Sequence, residues 1–192
     1  MTKKINKSSY DLVILNKTSK EKFENFVLSL GNQTQNTFNH FGKINTNTVT
    51  SIATKEITRS DKEKFFGFIG QELVVYGFLT KFDKISKKHN CTLGIVVSDT
   101  WQKKGLGQKM SQHMTDFAWK CGFTKIWLAV YLDNKVGINL YKSLGFQIEG
   151  IFINDEKFGT VNRHVISMAK FKNGKDYDKK RLEIWKKLNS DL

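Results

Sequence analysis

With 192 residues, 39% of them hydrophobic and 26% charged, the chain has the composition of a folded globular protein that can bury a sizeable core, which excludes disorder as its main state. Two cysteines, Cys91 and Cys121, exclude a disulfide scaffold and suit a reducing compartment. No apolar run nears the ~20 residues of a membrane helix and the Lys/Asn/Ser-rich start has no apolar signal core, so a cytoplasmic protein is expected.

Tyr10 to Leu15 reads as a first strand. Thr18 with Glu21 makes a capping-box pattern, and Phe23, Phe26, Val27 and Leu30 follow at helical spacing up to Gly31, which predicts a first helix. Residues 32–60 are rich in Asn and Thr with scattered apolar anchors (Phe38, Phe41, Ile44, Val49, Ile52), so short helical pieces and loops are expected. Phe65 to Ile69, a turn at Gly70-Gln71 and Glu72 to Thr80 predict a hairpin, and its second strand is apolar enough to sit inside a sheet. After a basic connection from Lys81 to Asn90, Thr92 to Val97 is another buried strand. Leu106, Met110, Met114, Phe117, Ala118 and Cys121 then mark a helix that stops at Gly122. Ile126 to Leu132 is a third buried strand. Asp133 or Asn134 caps the next helix, whose apolar face is Val136, Leu140 and Leu144 and whose stop is Gly145. Phe146 to Ile153 and Val161 to Met168 close as an antiparallel pair, and a charged helix over about 176–190, carrying Leu182, Trp185 and Leu188, ends the chain. No repeat or linker divides this order, which predicts one domain over 1–192 with a mixed sheet flanked by helices.

The most informative stretch runs from Thr92 to Cys121. A buried strand passes directly into Gln102-Lys103-Lys104-Gly105-Leu106-Gly107-Gln108 at the start of a long helix. Glycines there permit a tight turn that lets several amides converge, and the helix start adds unpaired donors and its positive dipole end. Such a place suits phosphate. It is not a P-loop, because no Gly-Lys-Ser/Thr closes it, and Met110 stands where the third glycine of G-x-G-x-x-G belongs. Alone, the segment fits an ordinary strand-to-helix turn equally well.

Joined to Ile95-Val96-Val97, to Asn134 and Tyr141 in Asn-x6-Tyr-x3-Gly-Phe146, and to Glu149-Gly150, the segment resembles the Gcn5-related N-acetyltransferase (GNAT) superfamily. The family signature after the central strand is Gln/Arg-x-x-Gly-x-Gly/Ala. The resemblance covers about residues 63–170, with its motif-bearing parts at Gly94 to Gly107 and Asn134 to Gly150. It is similar in pattern to the branch of small-amine and protein-amine acetyltransferases, through Gly145-Phe146, Glu149-Gly150 and Met168-Ala169. It implies a single-domain α/β (α+β) fold with a mixed, mostly antiparallel twisted sheet and a splayed central strand pair. It also implies acetyl-CoA as donor, no metal, and direct transfer to a primary amine of a small molecule or peptide. In that reading Ile95, Val96 and Val97 offer backbone amides to the pantetheine arm. The pyrophosphate rests on the amides of Gln102, Lys103, Lys104, Gly105, Leu106, Gly107 and Gln108, with the two lysines adding charge. Asn134 binds the arm from the other side. Tyr141 contacts the carrier and donates a proton to the departing thiolate, as a phenol of pKa ~10 can do without being ionised beforehand.

Plainer readings exist for each residue: Tyr141 as a core tyrosine, Asn134 as a helix cap, Lys103 and Lys104 as solvated charges. The general base is not legible. Glu72 lies on an apolar strand and Glu149 reads as structural. His164 stands where relatives often carry Asp and Thr92 where many carry Glu, departures that leave the acceptor-side network open. Cys91 and Cys121, the latter on the buried helix face, read as inert thiols, and His40, His89, His113 and His164 show no metal-ligand spacing. The surplus of 32 Lys+Arg over 18 Asp+Glu, a net +14, keeps a second class in view: a nucleic-acid- or ribosome-associated module with a non-catalytic phosphate cradle. No aromatic-basic interleaving supports it. The resemblance implies that acceptor choice rests with residues 32–60 and the stretch from Asn154 to Arg163, and the net charge favours carboxylate- or phosphate-bearing amines over polyamines. Acetyl-CoA and an amine are the expected partners, a membrane is not, and a homodimer is allowed but unspecified.

Overall fold

A computed structural model of the protein describes residues 10–174 and 177–190. Seven strands, β1 (Val13–Leu15), β2 (Lys62–Ile69), β3 (Glu72–Lys81), β4 (Asn90–Val97), β5 (Lys125–Tyr131), β6 (Gln147–Phe158) and β7 (Val161–Phe171), form one sheet in the order β1-β2-β3-β4-β5-β7-β6. The helices are α1 (Lys20–Leu28), α2 (Asn32–Thr37), α3 (Val49–Thr58), α4 (Leu106–Lys120), α5 (Lys135–Ser143) and α6 (Tyr177–Ser190). The β1–β2, β5–β7 and β6–β7 pairings are antiparallel and β4–β5 is parallel, which is the mixed sheet the element order implied. The side chains expected at Trp185 and Leu188 lie outside the described residues, as does Asp176. Two compact units divide the chain: one holds the chain up to Phe78 with Ile95–Ser111, the other Leu79–Gly94 with the chain from Gln112 on.

In the first unit, α1 begins one residue later than its capping-box pattern suggested. Ser19, not Thr18, is the cap, and its hydroxyl accepts the Lys22 N–H at 3.3 Å. The Thr18 hydroxyl is buried without a partner among the described residues. Phe23, Phe26 and Val27 then point inward together. Phe23 meets Phe26, Phe41, Phe66 and Tyr76 at ring-centroid distances of 5.0–6.1 Å, mostly edge to face. Each such pair adds about 0.5–1.5 kcal/mol to simple burial, so this aromatic knot, with Phe68, Phe78, Val96 and the Val49 and Ala53 of α3, anchors the unit. Residues 32–60 resolve into α2, a 3-10 turn at Asn39–Phe41 and α3, the short helical pieces expected there. Gly67 is required by close approach: a Cβ there would stand 2.4 Å from Val75 Cγ1 and 3.1 Å from the Met110 methyl.

In the second unit, the β4–β5 ladder covers three residue pairs, Asn90↔Lys125, Cys91↔Ile126 and Thr92↔Trp127, while β4 runs on to Val97 and β5 to Tyr131. Beyond those pairs β5 leans on β7, with which it pairs over its full length. The closing hairpin is longer than expected, reaching Phe158 and Phe171, and its register shifts after Ile148 and after Phe152. Two sequence expectations fail here. Cys121 is exposed and Cys91 buried. A Schellman end explains it: Phe123 N–H bonds the Ala118 carbonyl, Gly122 N–H bonds that of Trp119, and Gly122 takes φ 86, so the chain reverses and buried Phe123 takes the inward place. The inward face of α5 is Ile138, Tyr141 and Leu144, whereas Val136 is 70% exposed. The Asn134 side chain accepts the Gly137 N–H at 2.9 Å, which starts the helix at Lys135 and turns Val136 outward.

Candidate functional site

The proposed cradle lies wholly within the first unit. After β4 ends at Val97 comes a 3-10 turn, Asp99–Trp101, and then Gln102 to Gly105 lead into α4 at Leu106. Lys103 (φ 59) and Gly105 (φ 80) are left-handed, an arrangement that rotates successive amides toward one point. Among the described residues, the backbone amides from Lys103 through Gln108 donate to no protein acceptor, and the next, Lys109, bonds the Gly105 carbonyl at 3.1 Å. Six consecutive unpaired donors thus precede and open a 15-residue helix. Buried Leu106 anchors this turn, while Lys103, Lys104, Gly105 and Gln108 are exposed. A Cβ on Gly105 would meet nothing within 4 Å, so the space beside the amides is open. These features fit a diphosphate.

The side chains of the turn do other work than the sequence suggested. Gln102 Nε2 donates to Thr34 Oγ1 at 2.9 Å and reaches the Val97 carbonyl at 3.2 Å, and its backbone N–H donates to the Asp99 carbonyl at 3.3 Å, so the Gln102 amide, expected on the pyrophosphate, is instead spent inside the turn. The Lys104 ammonium sits 4.2 Å above the Trp101 ring and 5.4 Å from that of Tyr10, and these two rings meet edge to face at 5.2 Å. Trp101 Nε1–H donates to Glu72 Oε1 at 2.9 Å, which places Glu72 beside the turn. Asp99, which the sequence did not single out, accepts the Gly31 N–H and the Thr34 hydroxyl, both at 2.9 Å. Ile95 and Val97 are half-buried and Val96 is in the core.

In the second unit, Asn134 spends its side-chain oxygen on the α5 cap, and its NH2 is not used there. Tyr141, on the inward face of α5, packs on Phe146 at 5.7 Å. Among the described residues its hydroxyl has no hydrogen-bond partner, and burial pushes the phenol above its usual range, so it holds its proton at neutral pH. Glu149 pairs with Lys125 at 2.6 Å, a structural role, and His164 Nδ1 accepts the Asn154 N–H at 3.0 Å. The Arg163 guanidinium lies 3.5 Å above the Tyr131 ring and bonds Asp133 at 2.6 Å, while Tyr131 donates to Glu156.

A further polar cluster in the first unit escaped the sequence reading. Glu56 Oε1 accepts from Lys62 Nζ at 2.9 Å and from the Tyr76 hydroxyl at 2.5 Å, and its Oε2 lies 3.2 Å from His40 Nε2. The Lys62 ammonium also stands 2.7 Å from that nitrogen and 3.9 Å from the Phe78 ring. Burial opposes the charge on Glu56, but hydrogen bonds from His40, Tyr76 and Lys62 outweigh it and hold the carboxyl at about 2. Burial likewise pulls Lys62 below its usual range, and pushes Tyr76 upward together with the Glu56 charge.

Among the described residues no group of three His, Cys, Asp or Glu side chains could hold a metal ion, and no helix is long and apolar enough to cross a membrane. The model of the GNAT acetyltransferase family matches residues 35–146, more than half of the chain. The protein belongs to the GNAT acetyltransferase family. The family assignment thus bears out the resemblance carried by the Gly-turn and the Asn134–Tyr141 helix. Among curated relatives, [ribosomal protein bS18]-alanine N-acetyltransferase of Escherichia coli strain K12 is 40% identical over 52 residues, 27% of this chain and 35% of the relative. Spermine/spermidine N(1)-acetyltransferase of Bacillus subtilis strain 168 is 33% identical over 89 residues, 43% of this chain and 57% of the relative. The chain therefore spans between a third and three-fifths of the length of these relatives. The fold is shared with spermidine N-acetyltransferase from Vibrio cholerae, solved in complex with CoA and spermine, at TM-score 0.70 and 17% identity over 83% of this chain and 95% of that one.

Proposed function

We propose that this GNAT protein is a cytoplasmic, acetyl-CoA-dependent N-acetyltransferase that passes an acetyl group directly to a primary amine of a small molecule or peptide. The observation that carries the reading is the row of six unpaired amides from Lys103 to Gln108 at the α4 start, a built receptor for a diphosphate. Ile95 to Val97 and the Asn134 NH2 are the groups expected to hold the pantetheine arm. Bound acetyl-CoA supplies an activated acetyl thioester. Tyr141 keeps a proton on its phenolic oxygen for the departing sulfur. The Ser98 amide is engaged by the Val74 carbonyl at 2.9 Å, so an amide donor for the acetyl oxygen must come from the strand before it.

For the acceptor, the relatives' names give an alanine of ribosomal protein bS18 and the polyamines spermine and spermidine. A chain of net charge +14 repels a polycation, so amines that also bear a carboxylate or phosphate are the favoured class. The test is a free-thiol release assay with acetyl-CoA over amino acids, aminosugars, polyamines and N-terminal peptides. Release stimulated by one amine class supports the reading, and release no faster than buffer hydrolysis across the panel defeats it.

A further inference from the structure

Nothing in its own sequence explains why α2 forms. Asn-Gln-Thr-Gln-Asn-Thr contains no apolar residue, six residues are too few to hold a helix by propensity, and its cap, Gly31, has no side chain to offer. The hold comes from the turn after β4, 68 residues away, where Asp99 Oδ2 accepts the Gly31 N–H at 2.9 Å and so caps α2 in place of a local residue. A directed chain adds to this: Gln102 Nε2 donates to Thr34 Oγ1, and the Thr34 hydroxyl donates to Asp99 Oδ1, each at 2.9 Å. Thr34 is buried, both its donor and acceptor capacities are used, and the chain ends on a charge, the condition under which hydrogen bonds reinforce one another. The Ser29 and Ser98 hydroxyls, 3.3 Å apart, add a fourth link.

The other side of the same turn is the row of unpaired amides, whose shape depends on a left-handed non-glycine residue, Lys103. An anion seated on those amides favours the turn conformation that presents Asp99 and Gln102 to α2. Docking of α2 favours that same conformation. Two partners of one conformation strengthen each other by the same factor.

We propose that Thr34, Asp99 and Gln102 are positioning residues that couple occupancy of the amide cradle to the order of α2. The coupling rests on the acetyl-CoA reading above and extends it to the segment in which acceptor choice is expected. Its effect is to make the 31–38 segment respond to the carrier.

The probe is CoA itself, with binding read by calorimetry and the order of α2 by amide hydrogen exchange over residues 31–38. In the wild type, saturating CoA slows exchange in that segment by about fivefold, the worth of one ordinary hydrogen bond. Thr34→Val abolishes the CoA-dependent slowing and weakens CoA binding by a similar factor, and Thr34→Ser, which restores the hydroxyl, recovers both. If Thr34→Val shows no cooperative melting, Gln102→Ala carries the same expectation with α2 itself intact. CoA that binds the wild type while leaving exchange at 31–38 unchanged overturns the proposal, as does full slowing in both variants. A calorimetrically silent titration instead overturns the acetyl-CoA reading on which the proposal stands.

Discussion

Replacing Glu56 by Gln isolates the buried ion pair of the first unit. The amide keeps the volume and still accepts from the Tyr76 hydroxyl, but it leaves the Lys62 ammonium, only 2% exposed, without its counter-charge. Removing one partner of a buried pair costs about 3–5 kcal/mol, and the retained Tyr76 bond puts this case at the low end. The carboxyl gives the same size independently, because a fall from 4.5 to about 2 corresponds to roughly 3 kcal/mol of folding free energy at neutral pH. For a chain of this length that is a melting-temperature drop of roughly 6–12 °C. The sign with pH is fixed. A depressed carboxyl contributes fully above its unfolded value of 4.5 and loses that contribution as pH falls toward about 2, so wild type forfeits roughly 1 kcal/mol of it by about pH 3.5. Glu56→Gln has no such contribution to lose. Melting followed by tryptophan fluorescence at neutral pH and at about pH 3.5 should therefore show a large gap that narrows in acid. A variant within about 2 °C of wild type, or a gap that stays constant with pH, refutes the reasoning.

Gly105→Ala meets no clash, but it disfavours φ 80 by roughly 1–2 kcal/mol, so a turn that relaxes from that conformation must be re-formed on binding and CoA affinity should fall about tenfold in calorimetry, with melting lowered by no more than about 2–8 °C. Unchanged affinity would remove the cradle role. Tyr141→Phe should lower kcat at least about a hundredfold with CoA affinity and melting temperature near wild type, because the hydroxyl has no protein partner among the described residues; equal turnover would clear Tyr141 of the proton-donor role. A chromogenic thiol reagent should modify Cys121 in the folded protein and reach Cys91, buried and pushed up to about 12, only on unfolding, whereas two equally fast thiols would contradict the Schellman end of α4.

Where neighbouring residues decide a feature, the sequence was readable. Leu106, Met110, Met114 and Ala118 announce α4 because a four-residue spacing returns to one face, and the buried positions match. The Gly-turn was legible as a turn because a left-handed glycine just before a helix start is a local main-chain feature. Errors appear where two local signals compete. Thr18 and Ser19 are both capping residues, and which one binds an N–H depends on how the chain enters from β1. Val136 is as apolar as Ile138, so only the cap geometry at Asn134 decides which faces in. The remaining misses are long-range. Asp99 looks like part of a local turn until the fold brings Gly31 and Thr34 to it, and Glu56, Lys62, Tyr76 and His40 meet only because α3, β2, β3 and the turn at Asn39–Phe41 converge. No periodicity in the sequence encodes such meetings, and the polar residues that make them are indistinguishable from surface ones before folding.

The account turns on main-chain nitrogens receiving the carrier, and amide chemical shifts report them directly. Titrating the ¹⁵N-labelled full chain with CoA should move the resonances of Lys103 to Gln108 most, with those of Ile95 to Val97 moving alongside and saturating at the same CoA concentration. Binding that leaves these amides unmoved and shifts another part of the chain would contradict the account.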